Sequence, residues 1–235
     1  MIEAEWWDYE DADELAGAVA GDVAFIIESA IDARGSAVIA LAGGKTPGPN
    51  LEKLAQAKLP WKNVTIIPTD ERIVALDNPL SNVAMLAKIF LPKGARVVPI
   101  ISDKAADYKL AGSAASSRIS DFHWPLDLIW LGMGEDGHTA SIFNGPDLDD
   151  ALSAPPECKA VGVMPDPMPK DAPVARVTLT KASIQSAKSI VIVLTGDKKR
   201  ALLEAAIEEG DNSPLPIGRV LAGLETPVDI HWCAG

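Results

Sequence analysis

The chain has 235 residues, with 21 Lys and Arg against 33 Asp and Glu, a formal net charge of −12, and 48% hydrophobic against 23% charged residues. That composition describes a globular protein whose length suits one domain with a sizeable core. The acidic balance argues against a general nucleic-acid surface and against an anionic membrane partner, since both need a basic face. An anionic ligand would have to meet positive charge concentrated in one pocket.

The N-terminus is acidic within its first ten residues, unlike a secretory leader. No apolar run approaches the ~18 residues of a membrane span. A cytoplasmic protein is expected. The first helical pattern covers 13–33, where Leu15, Val19, Val23, Ile26 and Ala30 mark one face and Arg34-Gly35 marks the end. Residues 36–42 read as a strand buried on both sides, as a parallel strand under helices should be. Further strands are predicted at 63–69, 96–101, 126–131, 188–194 and 228–232. Helices are predicted near 48–57, 82–90, 104–120, 197–209 and 215–223.

This alternation implies an α/β fold: a three-layer, Rossmann-like, mostly parallel sheet with helices on both faces. Residues 144–175 hold seven prolines and read as a Pro-rich excursion with one short strand at 159–163. Cys158 and Cys233 lack metal-ligand spacing and read as reduced thiols. In such sheets ligands bind beyond the carboxyl ends of the strands, so the loops there are the places to search.

Four loops stand out. Strand 36–42 runs into Gly43-Gly44-Lys45-Thr46-Pro47 and a helix, which suits backbone approach to an anion. A nucleotide P-loop would need a glycine where Ile39 stands. Strand 63–69 ends in Asp70-Glu71-Arg72, three charges that are costly there unless paired or functional. Ser81 or Asn82 then offers a cap to the next helix.

Strand 126–131 runs into Leu131-Gly132-Met133-Gly134-Glu135-Asp136-Gly137-His138-Thr139-Ala140-Ser141. Gly132, Gly134 and Gly137 mimic a dinucleotide fingerprint, but the crossover helix and the acidic strand end that it requires are missing. Asp136-Gly137-His138 is more telling, because an imidazole titrates near neutrality and a carboxylate can orient it. His123 reads as packing or surface, and His231 as a satisfied core histidine. Arg176 opens a short strand, and Lys199 follows Thr195-Gly196 at a strand-to-helix junction. Both could reach an anion at Gly43 and Gly44.

Taken together, these motifs resemble the 6-phosphogluconolactonase family, within the superfamily shared with glucosamine-6-phosphate deaminase. The resemblance spans residues 36–200 and rests most on the stretch from Leu131 to Phe143. The family usually has serine where this chain has Lys45. The deaminase carries a glutamate after the histidine that is missing from Thr139-Ala140-Ser141-Ile142-Phe143-Asn144-Gly145, and it differs at the position of Arg72.

The resemblance implies hydrolysis of 6-phospho-D-glucono-1,5-lactone, the second step of the oxidative pentose phosphate pathway. His138 would be the general base, oriented by Asp136. Arg72 and the glycine-loop N–H groups would stabilise the oxyanion. Arg176 and Lys199, helped by Gly43, Gly44, Lys45, Thr46 and Asp70, would bind the phosphorylated substrate. No metal or other cofactor is expected. The expected partner is a small sugar-phosphate lactone, with neither nucleic acid nor membrane, and the chain is expected to be a monomer or weak homo-oligomer. Two alternatives are a deaminase-type isomerase and a non-catalytic sugar-phosphate sensor. A sensor would need a DNA-binding segment for which the chain has no spare residues.

Overall fold

A computed structural model describes residues 2–44, 47–102 and 107–235. Seven strands form an all-parallel sheet: β1 (Ala4–Tyr9), β2 (Ala37–Leu41), β3 (Val64–Pro68), β5 (Arg96–Val97), β6 (Leu128–Leu131), β9 (Ile190–Thr195) and β10 (Val228–Cys233). Three more, β4 (Asp70–Arg72), β7 (Ala160–Val163) and β8 (Arg176–Leu179), form a small antiparallel sheet ordered β4-β8-β7. The helices are α1 (Ala12–Arg34), α2 (Gly48–Leu54), α3 (Asn82–Phe90), α4 (Tyr108–Ile119), α5 (Leu148–Leu152), α6 (Lys181–Gln185), α7 (Asp197–Glu209) and α8 (Pro216–Leu221).

The large sheet runs β1-β10-β9-β6-β2-β3-β5. From β2 the chain steps outward through β3 to β5. It then returns to the other side of β2 with β6 and steps outward again through β9 and β10. The reversal lies between β2 and β6, so the loops after these strands diverge and leave a crevice there.

Each central strand is covered on both faces. Ala37, Ile39 and Leu41 of β2 pack with Leu15, Val23 and Ile27 of α1, Leu51 of α2 and Phe90 of α3. Val38 and Ala40 point the other way, into a core shared with α4, α6, α7, α8 and the small sheet. The period-2 alternation thus feeds two cores and explains the near-continuous apolar runs.

Helix α1 begins where the Asp11 carboxylate accepts from the N–H groups of Asp13 and Glu14, and it ends at Gly35 with φ +80°. Its buried face uses Ile27, not the predicted Ile26, because Ala16 and Ala20 also face the core and shift the centre of the buried stripe toward Ile27. Helix α2 begins at Gly48, with Pro47 just outside as its cap residue.

Several predicted boundaries shift. Strand 96–101 shortens to two paired residues, Arg96 and Val97, followed by one further backbone bond from the Val98 N–H to Ile66 of β3. Of predicted helix 104–120, the part at 104–106 lies outside the described residues. The proline-rich stretch carries α5 and β7 before returning to β8. Among the described residues no helix is long and apolar enough to cross a membrane. Cys158 and Cys233 are both free thiols.

Edge strand β1 has no apolar run to announce it, yet it pairs with β10 along its length. Its Tyr9 hydroxyl lies 2.9 Å from Nδ1 of His231, and the two rings stack. His231 is fully buried, but its Nε2 has no hydrogen-bond partner among the described residues. It is therefore only half satisfied, with the Asp22 carboxylate standing 3.7 Å away, beyond hydrogen-bond reach.

Burial lowers the His231 pKa below its ordinary 6.5, and nearby Asp22 and Asp229 only partly offset this. The folded state therefore holds this ring neutral, while the unfolded chain takes up the proton. Its contribution is complete above about pH 6.5 and is lost as pH falls from there toward the folded pKa. We expect wild-type Tm to fall between pH 7.5 and 5.5 more steeply than that of His231→Phe in parallel thermal melts. Equal slopes would contradict this.

Candidate active site

The crevice between β2 and β6 is a cavity of about 210 Å³. It is walled by the loops that follow β2, β3, β6 and β9, with one edge of the small sheet closing its side. Gly43, Gly44, Asp70, Arg72, His138, Arg176 and Lys199 all line it. Asp136 joins through His138. Lys45 and Thr46 lie outside the described residues.

The loop after β6 folds back on itself. Gly134 donates its N–H to the His138 carbonyl, and the Gly137 N–H bonds the Gly134 carbonyl. Gly137 has φ +76°, which turns the chain so that residues 136 and 138 share a face. His138 Nδ1 then sits 2.5 Å from Asp136 Oδ1. This imidazole contact holds the Asp136 carboxyl below its usual range, against partial burial. A Cβ on Gly134 would lie 2.2 Å from the His138 ring and 2.6 Å from the Asp136 carboxylate. Two of the three glycines that mimic a dinucleotide fingerprint, Gly134 and Gly137, therefore serve to fit a carboxylate–imidazole pair into a tight loop.

The Asp-Glu-Arg triplet divides its labour. Glu71 is fully buried. Its carboxylate accepts from the backbone N–H groups of Arg72, Asn82 and Val83 and from the Ser81 hydroxyl, at 2.7–3.1 Å. It thus closes the N-terminus of α3, where free N–H groups and the helix dipole favour an anion. Burial pushes the Glu71 carboxyl above its ordinary range, while the three N–H groups pull it back down. Ser81 is the cap residue, accepting from Ala84 N–H.

Asp70 accepts from the Ser141 hydroxyl at 2.6 Å, and Ser141 N–H bonds the Thr178 hydroxyl. These bonds tie the histidine loop to the small sheet. Asn82 donates to the Asp70 carbonyl and lies so close to the glycine loop that a Cβ on Gly43 would fall 2.1 Å from it.

Arg72 on β4 stands directly opposite Arg176 on β8. Arg72 donates to the Leu80 carbonyl, and Arg176, only 4% exposed, donates to that of Ala172. Neither forms an ion pair among the described residues, and the Nε of each is buried without a partner. Burial and the neighbouring Arg72 lower the Arg176 pKa, while Asp70 raises it. A guanidinium stays charged regardless, so the cavity holds two like charges without an ion-paired counter-anion among the described residues. Lys199, on the first turn of α7, faces them from the β9 side.

Sequence reasoning missed Asn50, a largely buried amide of α2 that also lines the cavity. It missed Glu71 as a helix cap as well. A carboxylate eleven residues before a helix start leaves no local signal, since capping motifs are recognised within four residues.

Residues 10–232 match the family model described as glucosamine-6-phosphate isomerases/6-phosphogluconolactonase. The chain belongs to this family. It is 36% identical over 228 residues to a 6-phosphogluconolactonase of Rhizobium meliloti, covering 95% of this chain and 96% of that one. A Pseudomonas putida 6-phosphogluconolactonase is 34% identical, with 95% and 90% covered. The crystal structure of a 6-phosphogluconolactonase from Shewanella baltica superposes with a TM-score of 0.90 at 30% identity, covering 99% of this chain and 98% of that one. The glucosamine-6-phosphate isomerase/6-phosphogluconolactonase fold is therefore the architecture in which this cavity sits.

Glu71→Gln tests the helix cap. The amide would turn its own N–H groups toward backbone donors in a site without water access. We expect a loss of about 2–3 kcal/mol, read by urea denaturation. Stability unchanged from wild type would show that the carboxylate does not hold α3.

Proposed function

We propose that the chain hydrolyses 6-phospho-D-glucono-1,5-lactone to 6-phosphogluconate, as a cytoplasmic enzyme of the oxidative pentose phosphate pathway. The observation that carries this reading is one cavity holding both a carboxylate-oriented imidazole and a pair of arginines without ion-paired counter-anions among the described residues. Family membership supports it, as do relatives named for this activity over nearly their full length.

His138 is the general base in this reading. Asp136 accepts the Nδ1 proton, which fixes the tautomer and leaves Nε2 with its lone pair free. Nε2 takes a proton from a water molecule as that water adds to the lactone carbonyl. The tetrahedral intermediate expels the ring oxygen, which receives the proton back from the imidazolium. The new carboxylic acid ionises, so one proton is released per turnover. Such a base contributes about 10²–10⁴-fold.

Arg176 and Lys199 bind the phosphate. We assign Arg72 to the same anion, because it stands beside Arg176 across the small sheet. The backbone N–H groups at Gly43 and Gly44 are then left for the developing oxyanion. Asn50, whose side chain makes no hydrogen bond among the described residues, is placed to meet a sugar hydroxyl.

Proton release from freshly prepared lactone, against a no-enzyme control, tests this reading. Wild type should accelerate hydrolysis. His138→Asn should lose about 10²–10⁴-fold in kcat while still binding 6-phosphogluconate. Arg176→Ala should lose affinity above all. A wild type that binds 6-phosphogluconate without accelerating hydrolysis, or that turns over glucosamine 6-phosphate instead, contradicts the assignment.

A further inference from the structure

The loop that carries His138 ends in an aromatic ring to which the chemistry above gives no part. Phe143 follows a tight turn in which the Ile142 N–H bonds the Thr139 carbonyl. Ala140 within that turn takes φ +49°, a conformation that L residues seldom adopt. Ile142 is fully buried and anchors the turn. The half-buried Phe143 ring is thereby brought against His138, with centroids 4.2 Å apart and planes 27° from parallel. The Arg176 guanidinium carbon lies 5.2 Å from the same ring's centroid. One phenyl ring therefore touches both the imidazole and a buried arginine of the anion site.

We propose that Phe143 is a positioning residue, holding the His138 imidazole in the plane from which Nε2 faces the cavity, with Arg176 steadying the phenyl ring in turn. The Asp136 contact fixes the imidazole at one atom and leaves it free to pivot about that hydrogen bond. A stacked ring removes the pivot, because rotation of the imidazole would open the contact between two flat faces. Attraction between the guanidinium and the ring's electron-rich face orders the phenyl group before substrate arrives. The aromatic ring thus prepares the base for a reaction that depends on alignment. The inference rests on His138 being the base.

The test uses Phe143→Leu, which keeps apolar bulk but no aromatic face, and Phe143→Tyr, which keeps the ring. The chain has three histidines, so comparison with His138→Asn assigns the His138 ring protons in the NMR spectrum. Stacking predicts that these protons are shifted upfield in wild type and in Phe143→Tyr, and that they move downfield in Phe143→Leu. Phe143→Leu should lose roughly tenfold in kcat with little change in KM, and Phe143→Tyr should recover most of that loss.

Unshifted ring protons in Phe143→Leu would overturn the proposal. So would an unchanged kcat, a loss confined to KM, or a kcat loss that Phe143→Tyr shares. If His138→Asn is fully active, the base assignment itself fails. If His138→Asn is inactive while Phe143→Leu behaves as wild type, only the positioning role fails.

Discussion

The half-buried Arg72 and the buried Arg176 stand opposite one another without an ion-paired carboxylate among the described residues, and much of the site follows from that arrangement. Like charges in a poorly solvated place repel, so the fold must hold Arg72 and Arg176 together against their electrostatics. The antiparallel register of β4 and β8 does so through backbone hydrogen bonds that are indifferent to side-chain charge. Glu71, between Asp70 and Arg72, is turned away and committed to α3, so it does not pair with Arg72. Asp70 is nearer the arginines, but both its oxygens accept from hydroxyls, those of Thr69 and Ser141. The result is a positive site in a protein of net charge −12, with an anion as its natural complement.

The large sheet places the other half of the chemistry. Its order reverses between β2 and β6, and the two glycine-bearing loops emerge on either side of the gap. Gly43 lets the first loop pack against Asn82, and Gly134 lets the second fold beneath its own Asp–His pair. The Ser141–Asp70 bond then joins the histidine loop to the small sheet, so the His138 loop and the two strands that carry Arg72 and Arg176 belong to one connected set of hydrogen bonds. In the proposed reading this sets the phosphate end and the reacting end at a fixed separation, which a hydrolase of sugar phosphates needs if remote binding is to align the lactone carbonyl.

Much of this was legible in the sequence. The main strands β2, β3, β6 and β9 were readable because each is a short apolar run covered on both faces, and β10 because its apolar residues alternate with Asp229 and His231. His138 and Asp136 were readable because their loop follows such a strand and carries titratable groups. Strands β7 and β8 of the small sheet were readable as short strands, but their assembly was hidden: β4 is three charged residues, and its partner β8 lies about a hundred positions further on, so no local period reports the pairing. Edge strand β1 was hidden because its outer side is polar. The Glu71 cap and the half-satisfied His231 were hidden because each depends on contacts that only the folded chain creates. The resemblance gave Arg176 and Lys199 to the phosphate and Arg72 to the oxyanion, whereas the register sets Arg72 opposite Arg176 and underlies our proposal that the two share one anion.

A crystal structure of the chain with 6-phosphogluconate tests the central claim most directly, because it shows where the two anionic ends of the product lie. The account predicts the phosphate on Arg72, Arg176 and Lys199, and the carboxylate within hydrogen-bonding distance of His138 Nε2. A phosphate bound away from the paired arginines, or a carboxylate on the far side of the cavity from His138, would contradict it.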